Sequence, residues 1–173
     1  MKSKGIEFEP GMSNEQIMES ENAFNLTFPN VLKDFLSAGV PVSNGFYNWR
    51  DLSAENIALV NKAIKKPYID ILNELKDEGY WCMSWGEKPN EIKEAIERFE
   101  SMYAASPKIF PIFSHRYLID LSPEPCVLSI VGTDTICYSN NLEKYLAIEF
   151  KIEEFDKSVR CDNIPFCSSL IYD

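Results

Sequence analysis

The run Phe110-Pro111-Ile112-Phe113-Ser114-His115-Arg116-Tyr117-Leu118-Ile119-Asp120 holds the only histidine of the chain. An unperturbed imidazole titrates nearest to neutrality, so His115 is where general acid–base chemistry would begin. A thiol drawn from Cys82, Cys126 or Cys137 could meet it in space, because nucleophile and base need not be close in sequence. No local nucleophile motif singles one out, and a hydrogen-bonded structural histidine is the favoured reading. Strand alternation would send His115 and Tyr117 to one face and Arg116 to the other. No catalytic activity and no cofactor are expected. Zinc is not expected either, since one histidine and scattered thiols do not supply close ligand pairs.

A second set of residues suits binding rather than catalysis. Trp81 and Trp85 are spaced to share one side of a helix or strand, and with Trp49 they could line a cleft that anchors a partner, as tryptophan and arginine do at binding hot spots. Burial in the core carries more weight, because large aromatics are usually well covered. Asp134 most often would only shape its turn, or it could pair with Arg50 or Arg116 across the cleft. The candidate partner-binding residues are thus Trp49, Arg50, Trp81, Trp85, His115, Arg116 and Asp134. Acidic residues in the first helix (Glu15, Glu19, Glu21) and around the last (Glu143, Glu149, Glu153, Glu154) are further candidate contacts, each cluster being more often a solvated face.

The frame for these residues is a chain of 173 residues with net charge −10, 45% apolar and 13% aromatic, enough for one sizeable core. The charge opposes a nucleic-acid partner and fits a basic protein, although taken alone it is more often just what keeps a protein soluble. No segment has the uncharged length needed to cross a bilayer, and the amino terminus has no apolar run after its lysines. Five cysteines, at 82, 126, 137, 161 and 167, leave an odd one over, which suits a reducing cytosol better than a disulfide framework. A cytoplasmic location is the expectation.

The elements that must position these residues can be read along the chain. Ser13-Asn14-Glu15-Gln16 has the form of a capping box and opens a helix to about Ala23. Pro29 begins a second helix, in which Val31, Leu32, Phe35 and Leu36 should face the core before Gly39 ends it. From Ser53 a stripe of Ile57, Val60, Ala63 and Ile64 is again helical, and Pro67 predicts either two helices or one kinked at Lys66. An aromatic loop over 80–89 precedes a helix from about Asn90 to Ala104, buried through Ile92, Ile96, Phe99 and Tyr103. Four strands follow, over Ile109–Phe113, Arg116–Leu121, Cys126–Val131 and Thr135–Tyr138, the last two joined by hairpin chemistry at Gly132-Thr133-Asp134. Asn140 is placed to cap a helix containing Leu142, Tyr145 and Leu146, and the tail from Phe150 would add an edge strand or pack loosely. The predicted fold is α+β: an antiparallel sheet from the C-terminal half, with N-terminal and central helices packed against it.

Three stretches together resemble a known family. They are Phe28-Pro29-Asn30-Val31-Leu32-Lys33-Asp34-Phe35-Leu36, then Gly45-Phe46-Tyr47-Asn48-Trp49-Arg50, and above all the block from Cys126 through Gly132-Thr133-Asp134 to Leu146. In this order they resemble the SUKH superfamily, which takes in the yeast Smi/Knr cell-wall regulators and many bacterial immunity proteins. The resemblance covers the first fifty residues and about 107–150. It implies a single SUKH-like domain over 1–173 with a helical, aromatic-rich insertion at about 54–106, and no enzymatic activity. Its bacterial branch implies an immunity protein that binds and neutralises a cognate toxin, often a nuclease. The alternative is a regulatory scaffold or glycan-binding module of the Smi/Knr type.

Overall fold

A computed structural model describes residues 5–121, 125–156, 158–161 and 163–171. A short ladder pairs β1 (Phe8–Glu9) with β2 (Val40–Pro41), bracketing α1 (Asn14–Phe24) and α2 (Asn30–Ala38). A long α3 (Ala54–Asn73) continues into one wide π-helical turn, Glu74–Glu78, and a 3-10 turn, Met83–Trp85, leads to α4 (Ile92–Tyr103). The antiparallel sheet then runs β3 (Ile109–Phe113), β4 (Arg116–Ile119), β5 (Cys126–Val131) and β6 (Asp134–Ser139), in that spatial order. The chain closes with α5 (Leu142–Glu149) and a short α6 (Cys167–Ile171).

Local chemistry accounts for the element ends. Ser13 and Gln16 form the capping box that the sequence announces, with Gln16 N donating to Ser13 Oγ and Ser13 N donating to Gln16 Oε1. The cap of α5 is Asn141, one residue later than expected, its side chain accepting from Lys144 N at 2.7 Å. Gly132, at φ 58°, turns β5 into β6, and a Cβ there would lie 1.7 Å from Glu74 Oε1. Glu74 needs that space because its carboxylate accepts from both the backbone N–H and the hydroxyl of Thr133, tying the end of α3 to the hairpin.

Pro67 neither splits α3 nor ends it. Proline cannot donate to the carbonyl four residues before it, so Ala63 O loses its helical partner. The hydroxyl of Tyr117, on β4, donates to that carbonyl at 3.3 Å, and both side chains are buried. A sheet residue thus satisfies the acceptor that the proline orphans. Tyr117→Phe is expected to lower stability by about 1 kcal/mol in a denaturant titration, the usual cost of a buried hydrogen bond; no change would show that water serves Ala63 equally well.

Side chains alternate across the sheet. Phe110, Ile112, Leu118 and Val127 face a cluster with Leu32, Leu36, Trp49, Leu142 and Tyr145, which joins α1, α2 and α5 to one face. Tyr117, Ile119, Leu128 and Ile130 face the other way, against Cys161, Ile164 and Cys167 of the tail. The tail therefore adds a buried helix, not an edge strand. A third cluster gathers Ile71, Leu75, Cys82, Trp85 and Phe99 around α3 and α4. Ile92, expected inside, is 48% exposed at the first turn of α4, where Ala95 and Phe99 take the buried side.

The cysteine expectation needs correcting. Cys137 on β6 and Cys161 in the tail form a disulfide, their Cα atoms 5.6 Å apart, while Cys82, Cys126 and Cys167 remain free and buried. The tail's return across β6 creates this proximity, and a separation of 24 residues gives no hint of it in sequence.

Candidate functional site

The residues singled out by sequence fall in three places. Trp49 is 1% exposed inside the first cluster, edge-on to Phe24 and Phe28, with its indole N–H donating to Pro111 O at 3.2 Å. Its neighbour Arg50 bonds Glu9 at 3.0 Å and Pro10 O, which fastens the N-terminal strand. Trp85 is 5% exposed and donates to Ser169 Oγ, and half-buried Trp81 donates to Gly86 O beneath the Arg98 guanidinium. Trp81 and Trp85 do touch, at 5.2 Å between ring centroids, but in the third cluster. The three tryptophans share no cleft, because packing against α4 and the first sheet face consumes two of them.

His115, Arg116 and Asp134 lie around the turns at one end of the sheet. His115 sits in the β3–β4 turn, not in the strand, with Nδ1 3.1 Å from Ser114 Oγ. Burial and the Arg116 charge hold its pKa below the ordinary imidazole value, while Glu149 and Asp134 pull the other way. Arg116 and Tyr117 do occupy opposite faces. Arg116 Nη1 donates to Ser129 Oγ at 2.9 Å, its guanidinium carbon lies 4.3 Å from the Tyr138 ring centroid, and Nε is 3.3 Å from Glu149 Oε2. Asp134 opposes Val131 across the hairpin, so the ion pairs considered for it go instead to Glu9 with Arg50 and to Glu149 with Arg116.

No thiol accompanies the imidazole. His115 O accepts from Ile130 N, and Cys126 lies four residues back along β5, roughly 13 Å by strand rise. Burial pushes the Cys126 thiol up to about 12, Cys137 is in the disulfide, and Cys82 is buried in the third cluster beside Ser84. Among the described residues, no group of three or more His, Cys, Asp or Glu side chains is arranged to hold a metal ion. No helix among them is long and apolar enough to cross a membrane.

The feature that sequence reasoning missed is a groove of about 790 Å³ between α2 and α5. Its apolar lining comes from Val31, Phe35 and Ala38 on α2, Leu142, Leu146 and Ala147 on α5, and Ile152 just beyond. Asp34, Glu143 and Glu153 bring carboxylates to it, against the single cation Lys144, which is 3.8 Å from Asp156. The sequence places four apolar residues of α2 in the core, yet only Leu32 and Leu36 are buried, and Val31 and Phe35 are left half-covered on the groove side. Of the acidic residues proposed as contacts, Glu143 and Glu153 reach this groove, whereas Glu21 is spent on Lys33 and Phe28 N and Glu149 on Arg116.

No family model, no curated protein and no solved structure matches this chain.

Proposed function

We propose that this chain is a protein-binding inhibitor of the immunity type, holding a cationic toxin in the groove between α2 and α5. The observation that carries this reading is the apolar groove with three carboxylates and one lysine along it, on a chain of net charge −10. Apolar side chains left half-covered supply affinity when a partner buries them, and the surrounding carboxylates steer a basic partner in and reject acidic ones. A nuclease is a fitting toxin class, because a surface built to neutralise phosphates is basic and can be occupied by an acidic inhibitor instead. The resemblance of Phe28–Leu36 and Cys126–Leu146 to SUKH proteins supports the same role. A glycan-binding module built on tryptophan would need open indole faces, and Trp49 and Trp85 are 1% and 5% exposed.

The test is expression of the chain with the polypeptide encoded beside it, followed by titration of the purified pair. Equimolar chain is expected to abolish that polypeptide's toxicity. Reversing the exposed charges, Asp34→Lys with Glu153→Lys, is expected to weaken the complex by about tenfold or more, with the difference shrinking at high salt. Binding without inhibition would favour a regulatory scaffold, and an affinity indifferent to these reversals would move the interface elsewhere.

A further inference from the structure

The groove's outer wall is made by the chain that follows α5. After α5 the backbone doubles back: Ile152 N and Glu153 N both donate to Ala147 O, at 2.8 and 3.2 Å. Ile152 and Glu153 then line the groove, Phe155 meets the Tyr138 ring at 5.1 Å, and Asp156 lies 3.8 Å from Lys144. Ile152 is 55% exposed and Phe155 40%, while Val159, nearer the disulfide, packs against the second cluster. The strong attachment comes at its end, where Cys161 is joined to Cys137 on β6. Beyond it, Ile164 and Leu170 are anchored by burial of their own.

Cys137 also borders a surface cavity of about 390 Å³, lined further by Thr135, Phe155, Val159 and Arg160. Cys137 and Cys161 are themselves 6% and 5% exposed, so a small thiol reaches the disulfide from this side only as the covering segment opens locally. We infer that the Cys137–Cys161 disulfide is a reducible latch on the outer wall of the α2–α5 groove: closed, it holds residues 151–156 and 158–160 against α5 and β6, and opened by a dithiol reductant it frees that wall and weakens the groove's grip. The last step rests on the docking reading above; the latch itself does not.

The chemistry balances with a dithiol as the electron source. Its thiolate attacks Cys137 Sγ, a mixed disulfide forms, and Cys161 leaves as a thiolate that takes up a proton. The reductant's second thiolate then displaces Cys137 and closes its own disulfide, so two electrons and two protons pass to the protein. Cys126 and Cys167 share the same buried cluster but do not scramble the exchange, because burial pushes their thiols up to about 12 and 11, and the attacking species is the thiolate. The cluster joining α1, α2 and α5 to the sheet contains no cysteine, so opening is local.

Native-state hydrogen exchange with and without dithiothreitol tests this on the chain alone, with thiols counted by alkylation and mass after denaturation. Three of the five cysteines are expected to alkylate before reduction and all five after it. Amides of 151–156 and 158–160 should exchange about tenfold faster or more on reduction, while α2 and β3–β5 stay protected, as expected of a local opening. Cys137→Ser with Cys161→Ser should show the fast exchange without reductant and no response to it. Five alkylatable thiols at the outset, unchanged exchange in 151–156 and 158–160 after reduction, or deprotection spreading through the sheet would each overturn the latch. For the neighbour-encoded polypeptide, reduction should also lower affinity. A chain that shows the exchange change yet binds no such polypeptide in either redox state defeats the docking reading alone.

Discussion

Trp49→Ala lowers the unfolding free energy by about 3–5 kcal/mol, the range for deleting a fully buried large aromatic. The indole is 1% exposed, and its rings meet Phe24 at 5.1 Å and Phe28 at 5.0 Å, both edge-on. Removing it opens a void bounded by three elements that cannot collapse together: α1, the turn before α2, and β3. The substitution also strands Pro111 O, which accepts the indole N–H at 3.2 Å on a strand whose proline offers no donor in return. For a domain of this size the loss corresponds to a fall in Tm of roughly 6–20 °C. Thermal and denaturant unfolding measure it, and Trp49→Phe should recover part of the packing but not the hydrogen bond. Trp49 does not line the α2–α5 groove, so partner affinity of the folded variant should be unchanged. A stability loss under about 1 kcal/mol together with weakened binding would return Trp49 to the interface and undo the assignment to the core.

What the sequence could disclose depended on how local each cause was. The strands were legible because apolar runs are bounded by turn residues such as Gly132, and β3 and β5 begin and end where the composition places them. Ser13 and Gln16 announced α1 because both halves of a capping box lie within four residues. The fate of Pro67 was not legible, since the hydroxyl that rescues Ala63 O arrives from Tyr117, fifty-four residues away. The same holds for the disulfide, whose partners meet only after the tail has crossed β6. Trp81 and Trp85 were read as sharing a face, and they do touch, but Trp85 closes a 3-10 turn whose packing against Phe99 and Phe166 turns it inward. The groove needed α5 to be placed beside α2 before the half-covered Val31 and Phe35 acquired a meaning.

Arg116→Ala is expected to cost about 2–3 kcal/mol, less than the loss for a fully buried broken pair because both partners keep some water. The Arg116 and Glu149 side chains are 14% and 17% exposed, with 3.3 Å between Nε and Oε2. Without the guanidinium, the Glu149 carboxylate remains at the end of α5 near the buried Tyr145 phenol, and the Ser129 hydroxyl and Tyr138 ring lose their partner. If the cost comes from the stranded carboxylate, replacing both charges together, Arg116→Met with Glu149→Leu, should be milder than Arg116→Ala alone; a double-mutant cycle reads the difference. The single histidine supplies a second readout, because the two substitutions should move it in opposite directions, which a packing defect common to both would not do. Burial is the largest influence lowering the His115 pKa and the Arg116 charge the next, with Glu149 and Asp134 opposing. Deleting Arg116 should therefore raise the His115 titration, followed by NMR, and replacing Glu149 should lower it. The linkage sign follows: with its folded pKa below the unfolded value, His115 makes the native protein less stable as pH falls through the unfolded pKa near 6.5 toward the folded one. That slope should flatten in Arg116→Ala and steepen in Glu149→Gln. A His115 titration indifferent to both substitutions would show that Arg116 and Glu149 are too well screened to act on it, and would overturn the predicted changes in slope.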